Sequence, residues 1–315
     1  MSQRRYAAVG GQAVMEGIMM KSPLRSVLAV RTPNGEVVTE EMATSSVREK
    51  YKVLRLPIIR GCVAFVESMV VGYKSLMRSA ELAGLEEETE GKKWVSGLVT
   101  VLSLVLGVAL AVGLFFLLPQ WLGKLFTGWF PEARALRILI EGILRIVIFI
   151  CYILATSLMK EMKDVYRYHG AEHKTIFAVE AGKALTVENI RKMPRCHPRC
   201  GPSFIFLVLL FSILFFTLLH AFVLPESIEG IPRLLVHLAF LPLVAGCTFE
   251  IQQWTGRKEN WFTKIVSAPG KGLQRITTAE PTDEQIEVAI IAVNAALTKE
   301  NGEVDYAAAF PQKSK

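Results

Sequence analysis

Long apolar runs separated by short charged stretches occupy the chain from about residue 94 to residue 250. Four of them, 94–118, 138–159, 203–224 and 232–250, have the length of a helix that crosses a bilayer. A hydrocarbon core of about 30 Å takes about 20 apolar residues. The first and third runs carry almost no charge. The second holds Glu141 and Arg145 at i, i+4 spacing, which predicts a pair on the inward face. The fourth is short and holds His237 and Pro242. Residues 53–84 are apolar as well, but Arg55, Arg60, Glu67, Lys74 and Arg78 interrupt them. Charge at that density is costly at the bilayer centre, so a helix lying in the interface, or re-entrant against the others, is expected there.

The flanking segments have other periods. In VLAVRTPNGEVVTEE, Asn34 and Gly35 sit between two strand-like stretches and predict a hairpin with a type I′ turn. The preceding GGQAVMEGIMMKSP shows no periodicity and reads as a glycine-rich loop carrying Gln12 and Glu16. LEEETEGKK is a charged linker. PTDEQIEVAIIAVNAALTKE reads as one amphipathic helix, capped by Thr282 and Asp283. The predicted fold class is mainly α: a polytopic membrane helical bundle of about four spanning helices and an interfacial or re-entrant helix, with a small N-terminal β-hairpin unit. The segments are 1–50 for that unit, 51–93 for the interfacial helix and linker, 94–250 for the bundle with its loop 160–202, and 251–315 for a C-terminal segment.

Composition agrees with this pattern, with 51% hydrophobic residues in a chain of 315 and a formal net charge of +7. The position of the charge says more than its sum. Loop 160–202 holds nine Lys and Arg, the connection 119–137 three and the turn 225–231 none. That asymmetry predicts a bacterial inner-membrane protein with both termini and loop 160–202 in the cytoplasm. The surroundings expected are the lipid bilayer, with a second copy of the chain as a candidate partner. Basic residues flank apolar runs and are not interleaved with stacking aromatics, so nucleic acid is not expected. Five cysteines, an odd number, do not form a disulfide framework.

The candidate chemistry is concentrated in loop 160–202. DVYRYHGAEHKTIFAV contains His169, Glu172 and His173 in the spacing His-x-x-Glu-His. On a helix, two histidines four residues apart share a face and can hold one metal ion, with the glutamate beside them. MPRCHPRCGPSF adds Cys196, His197 and Cys200 just before the third run, and Glu250 lies at the same end of the fourth. Thiols next to imidazoles favour zinc.

The stretches GGQAVMEGIMMKSP, YHGAEHK and CHPRCGPSF, together with QRITTAEP before the last helix, resemble the signature blocks of the YqhQ-type family of bacterial membrane proteins, a group described as predicted metal-dependent enzymes. The resemblance implies a site at His169, Glu172, His173, Cys196, His197 and Cys200, with Gln12 and Glu16 nearby.

Two readings use the same residues. In the first, His169, His173 and Glu250 hold zinc with one position open, Glu172 is the catalytic base, and the protein is a zinc-dependent hydrolase of a peptide or lipid substrate at the cytoplasmic membrane surface. In the second, His169, His173, Cys196 and Cys200 close a structural Cys2His2 site in a scaffold, oligomeric assembly or transport component. The glutamate between the histidines, which a structural site does not need, puts the enzyme reading ahead.

Overall fold

The computed structural model describes residues 7–43, 46–85, 93–127, 134–198, 200–225, 228, 230–255 and 260–310. Most of the charged linker, together with Trp129, Arg199, Arg257 and Lys258, lies outside these. The first ordered element is a four-stranded antiparallel sheet in the order β1-β2-β3-β4. Its strands are β1 (Gly10–Val14), β2 (Gly17–Lys21), β3 (Ser26–Arg31) and β4 (Val37–Met42). The stretch expected to be a glycine-rich loop is therefore a hairpin, with Val14 opposite Gly17 and Glu16 at φ 48 in its turn. Gly17 through Met20 are all buried, so β2 lacks the polar alternation that marks a strand in sequence. The hairpin predicted at Asn34 and Gly35 is present, but its turn is not type I′. Only Gly35, at φ 86, is left-handed, and the Gly35 amide donates to the Thr32 carbonyl at 2.9 Å. A type I′ turn needs two such residues.

A short helix α1 (Val47–Lys50) leads to α2 (Ile59–Leu82). Next come α3 (Lys93–Val112), a π-helical turn at Gly113–Leu117, and α4 (Leu118–Thr127). Then follow α5 (Arg134–Thr156), α6 (Lys160–Glu180), α7 (Val187–Arg191), α8 (Gly201–Phe222) and α9 (Gly230–Thr255). The chain closes with α10 (Trp261–Thr277) and α11 (Asp283–Leu297). Thr282 caps α11 in a reciprocal capping box with Gln285, as the sequence anticipates.

Four stretches are long and apolar enough to cross a membrane: Gly97–Phe126, Leu136–Thr156, Ser203–His220 and Gly230–Trp254. The most apolar part of the first is wholly unburied, with Leu102, Leu106 and Leu110 each more than 60% exposed. Such a face needs an apolar surrounding. Helix α2 is not among the four, and other segments take up its charges. Glu67 pairs with Arg48, Arg78 pairs with Glu40 of β4, and Arg60 pairs with Glu250 of α9. It crosses α9 where Gly61 meets Gly246, and a Cβ on Gly61 would lie 2.9 Å from the Gly246 backbone.

The expected Glu141–Arg145 pair is replaced. Glu141, 1% exposed, contacts Arg233 of α9 at 2.6 Å and Arg137 at 3.3 Å. Arg145 instead donates from Nε to the Phe115 carbonyl at 2.9 Å. Pro119 explains that acceptor, since it has no N–H to return to the carbonyl four residues back.

Apart from the bundle, one hydrophobic core joins both ends of the chain. Ile18 and Met20 of the sheet, Tyr168, Ala171 and Ile176 of α6, and Ile286, Val293 and Leu297 of α11 pack into it. This core holds α6 rigidly against the sheet.

Candidate metal centre

Helix α6 carries His169 and His173 one turn apart, with ring centroids 4.3 Å from each other. Each ring is fixed by a carbonyl. His169 Nδ1 lies 2.8 Å from the Thr277 oxygen, and His173 Nδ1 lies 2.6 Å from the Arg195 oxygen. A carbonyl only accepts, so both Nδ1 atoms carry the hydrogen and both Nε2 atoms keep a lone pair. His169 Nε2 lies 3.2 Å from the Cys200 sulfur. One ligand atom from each of His169, His173 and Cys200 falls within 4.8 Å of the others. All three residues are buried.

Local sequence explains the placement. Thr277 is the last residue of α10, where helix carbonyls lack intrahelical partners, and His169 takes one of them. Cys200 sits at the N-terminal boundary of α8, so its side chain is held where the apolar helix begins. Gly170 lets the strand-like segment after α10 lie against α6, because a Cβ there would be 2.0 Å from the Ala279 carbonyl. Gln274 donates to the His197 carbonyl at 2.8 Å, tying α10 to the cysteine loop.

Glu172 is buried beside this cluster and accepts the Gly11 amide of β1 at 3.1 Å. A Cβ on Gly11 would come within 3.2 Å of the Glu172 side chain, so the glycine makes room for that hydrogen bond. Burial raises the Glu172 carboxyl to about 8, and the Gly11 amide offsets part of that. Burial lowers His169 to about 4 despite the Thr277 carbonyl, and holds His173 well below its ordinary value. Both imidazoles are therefore neutral, the form that ligates metals. Burial pushes the Cys200 thiol up to about 12. A buried thiol with two neutral nitrogens leaves a surplus of soft and borderline lone pairs, which suits zinc.

The other expected residues fall around this trio. Cys196 is half-buried and acts electrostatically on the Cys200 thiol, but it is not in the group that shares one point. His197 is buried behind His173, with ring centroids 5.8 Å apart, and its Nε2 lies 3.6 Å from Glu180. Glu16 accepts the Tyr168 hydroxyl at 3.3 Å, and Gln12 donates to the Gly72 carbonyl at 3.2 Å. Glu250 is held by the Arg60 guanidinium, with Nε donating at 2.7 Å, and is not part of the trio. Among the expected residues, the structure thus unites His169, His173 and Cys200, and sets Glu172 next to them.

Sequence reasoning did not identify Gly11, Arg195, Gln274 or Thr277. The last two lie in QRITTAEP, and Glu280 of that stretch pairs with the buried Lys174 at 2.6 Å. The stretch ties α10 and the segment after it to His169, the His197 carbonyl and Lys174.

A family model described as protein of unknown function (DUF1385) matches residues 56–299. The chain is also 35% identical over 303 residues to the uncharacterized protein YqhQ of Bacillus subtilis (strain 168), covering 93% of each chain. No solved structure matches.

Proposed function

The chain belongs to the DUF1385 family, and we propose that it is a zinc-dependent hydrolase of the membrane surface, with its site on the cytoplasmic side. The observation that carries this reading is the pair of imidazoles whose Nδ1 hydrogens are each committed to a carbonyl, which leaves two Nε2 lone pairs beside one thiol. Backbone carbonyls in that position are the usual partners of metal-ligating histidines.

His169, His173 and Cys200 would hold the ion, one ligand fewer than a closed tetrahedral site needs. Zinc so held would supply a Lewis acid that polarises a carbonyl and makes water a nucleophile near neutral pH. Glu172 supplies the proton chemistry. Its carboxyl, raised to about 8, balances between holding and releasing a proton near neutrality, as a general base requires. The Gly11 amide fixes one carboxylate oxygen and leaves the other to work. The four apolar stretches support a site beside a bilayer, and the basic residues between the second and third support the cytoplasmic face. The substrate is an amide or ester presented there, a peptide or a lipid head group.

Elemental analysis of purified full-length protein tests this. We expect one zinc per chain in the wild type, lost in His169→Ala and in Cys200→Ser, and kept in Cys196→Ser and Glu172→Gln. Hydrolysis of amide and ester substrates in vesicles should disappear in Glu172→Gln although zinc stays. A wild type without metal overturns the proposal. Zinc lost in Cys196→Ser as well points to the closed Cys2His2 site, which the nearness of Cys196 to Cys200 favours.

A further inference from the structure

The far end of the bundle holds a second buried polar group that the hydrolase reading does not use. Helix α8 starts at Cys200 and runs to His220, while α9 returns from Arg233 to Gln252, whose amide reaches the Cys200 carbonyl at 3.4 Å. His220 and Arg233 are therefore roughly 30 Å of helix from the His/Cys cluster, at about 1.5 Å per residue.

At this end Glu141 is the carboxylate that meets Arg233, and Arg137 also claims it. Arg145, one turn further along α5, interacts electrostatically with both Glu141 and Arg233. Arg233 and the half-buried Arg137 thus share one carboxylate, and Arg145 adds a further positive charge near it. His220 and His237 bring their Nε2 atoms to 3.1 Å, so one donates and the other accepts, and the donating ring keeps a single lone pair, on Nδ1, at this end.

The donors are in excess. Arg145 Nη2, Arg233 Nε and Gln120 Nε2 are buried without a hydrogen-bond partner among the described residues, against one such acceptor, Glu141 Oε2, which has its ion pair with Arg233. Arg233 and Gln120 are 3% and 7% exposed. Gln120 lies on the face of α4 that packs against Glu141, one turn before Gly123, where a Cβ would touch the Glu141 side chain at 2.4 Å. The three unpartnered N–H groups therefore come from the three helices that meet at Glu141. Native proteins rarely bury donors this way unless something absent from the chain accepts from them. Water could accept the hydrogens but would leave the excess positive charge unmatched. A group that brings both acceptors and negative charge meets both needs, and a guanidinium fork fits a phosphate or carboxylate edge.

We propose that Arg145, Arg233 and Gln120 bind a phosphate-type oxyanion within the bundle. Its source is either an anionic lipid head group or free inorganic phosphate, and the experiment separates these. The full-length protein is purified in detergent and its thermal unfolding followed with added inorganic phosphate. In parallel, native mass spectrometry follows retention of phosphatidylglycerol against phosphatidylethanolamine from nanodiscs. A rise in unfolding midpoint with phosphate identifies the free ion, and one retained phosphatidylglycerol per chain identifies the head group. In either case Arg145→Met and Gln120→Leu should each weaken binding about tenfold or more, the effect of losing a hydrogen bond to a charged group. Gln120→Leu breaks no ion pair, so it stays informative if Arg145→Met does not fold, and circular dichroism checks helix content. Wild type that takes up neither ligand, or binding unchanged in Gln120→Leu with native helix content, overturns the proposal.

Discussion

The two ends of α8 bury polar groups in opposite ways. At Cys200 the donors are used up: each histidine gives its hydrogen to a carbonyl, and the surplus is of lone pairs. At His220 the balance is reversed: Glu141 serves more than one arginine, and three unpartnered N–H groups outnumber its one oxygen without a hydrogen bond. A surplus of lone pairs calls for a cation and a surplus of hydrogens calls for an anion. The supports differ as well. The His/Cys end is held by a continuous core shared among the sheet, α6 and α11. The arginine end is held by ion pairs between apolar helices, so its charges are structural as well as binding groups.

The sharpest way to break this contrast is to remove the one carboxylate. Glu141→Leu leaves Arg233 buried without its counter-charge, which should destabilise the protein by about 3–5 kcal/mol. Denaturant unfolding in detergent should show this, and Glu141→Leu with Arg233→Met should recover most of it, since replacing both partners of a buried pair is often nearly neutral. A loss under about 1 kcal/mol in the single variant would mean that Arg233 reaches solvent or lipid head groups and that the end is not closed.

A smaller effect sharpens the other end. At pH 6–8 His169, held at about 4, and His173, held well below its ordinary value, have no proton to lose, whereas the Cys200 thiol at about 12 must lose one to bind a metal. Zinc uptake by metal-free Glu172→Gln protein, which lacks the neighbouring carboxyl at about 8, should therefore release one proton between pH 6 and 7, and affinity should rise as pH rises, by about tenfold per unit or about 1.4 kcal/mol. Competition with a chelator across this range gives the slope. A slope near two would bring in a second thiol and favour the closed site; a flat line would remove Cys200 from the ligands.

What the sequence made legible was periodic or local. The four apolar stretches and the capped last helix follow from patterns within about 20 residues, whereas α6 lies in what reads as loop 160–202 and only the spacing of His169 and His173 hints at it. What it hid depended on partners far along the chain. β2 is buried on both faces because α6 and α11 cover Ile18 and Met20 while the end of α2 covers Met19, and no feature of GIMMK announces that cover. The Glu141–Arg145 spacing suggested a pair, but Pro119 freed a carbonyl for Arg145 and α9 delivered Arg233 to Glu141. At the site, the residue types were legible while their anchors were not. Backbone carbonyls of Thr277 and Arg195 have no side-chain signature, and Gly11 matters through the side chain it lacks.

Glu250 is the least consequential of the expected ligands, and its substitution should give the smallest change. Its position near the Cys200 end of the bundle makes it a plausible ligand by topology, yet Arg60 occupies it on two hydrogen bonds. Both side chains are partly exposed, 37% for Arg60 and 25% for Glu250, so solvent screens the pair and its contribution should be no more than about 1 kcal/mol. Glu250→Gln keeps the shape, weakens the charge contact and should leave zinc content at one per chain. The measurement is metal content beside unfolding midpoint on the same preparation. A fall in zinc with an unchanged midpoint would show that Glu250 leaves Arg60 to complete the metal site, and would return the open position to a carboxylate. Retained zinc with a slightly lower midpoint confines Glu250 to fastening α2 against α9, and leaves the fourth position to substrate or water.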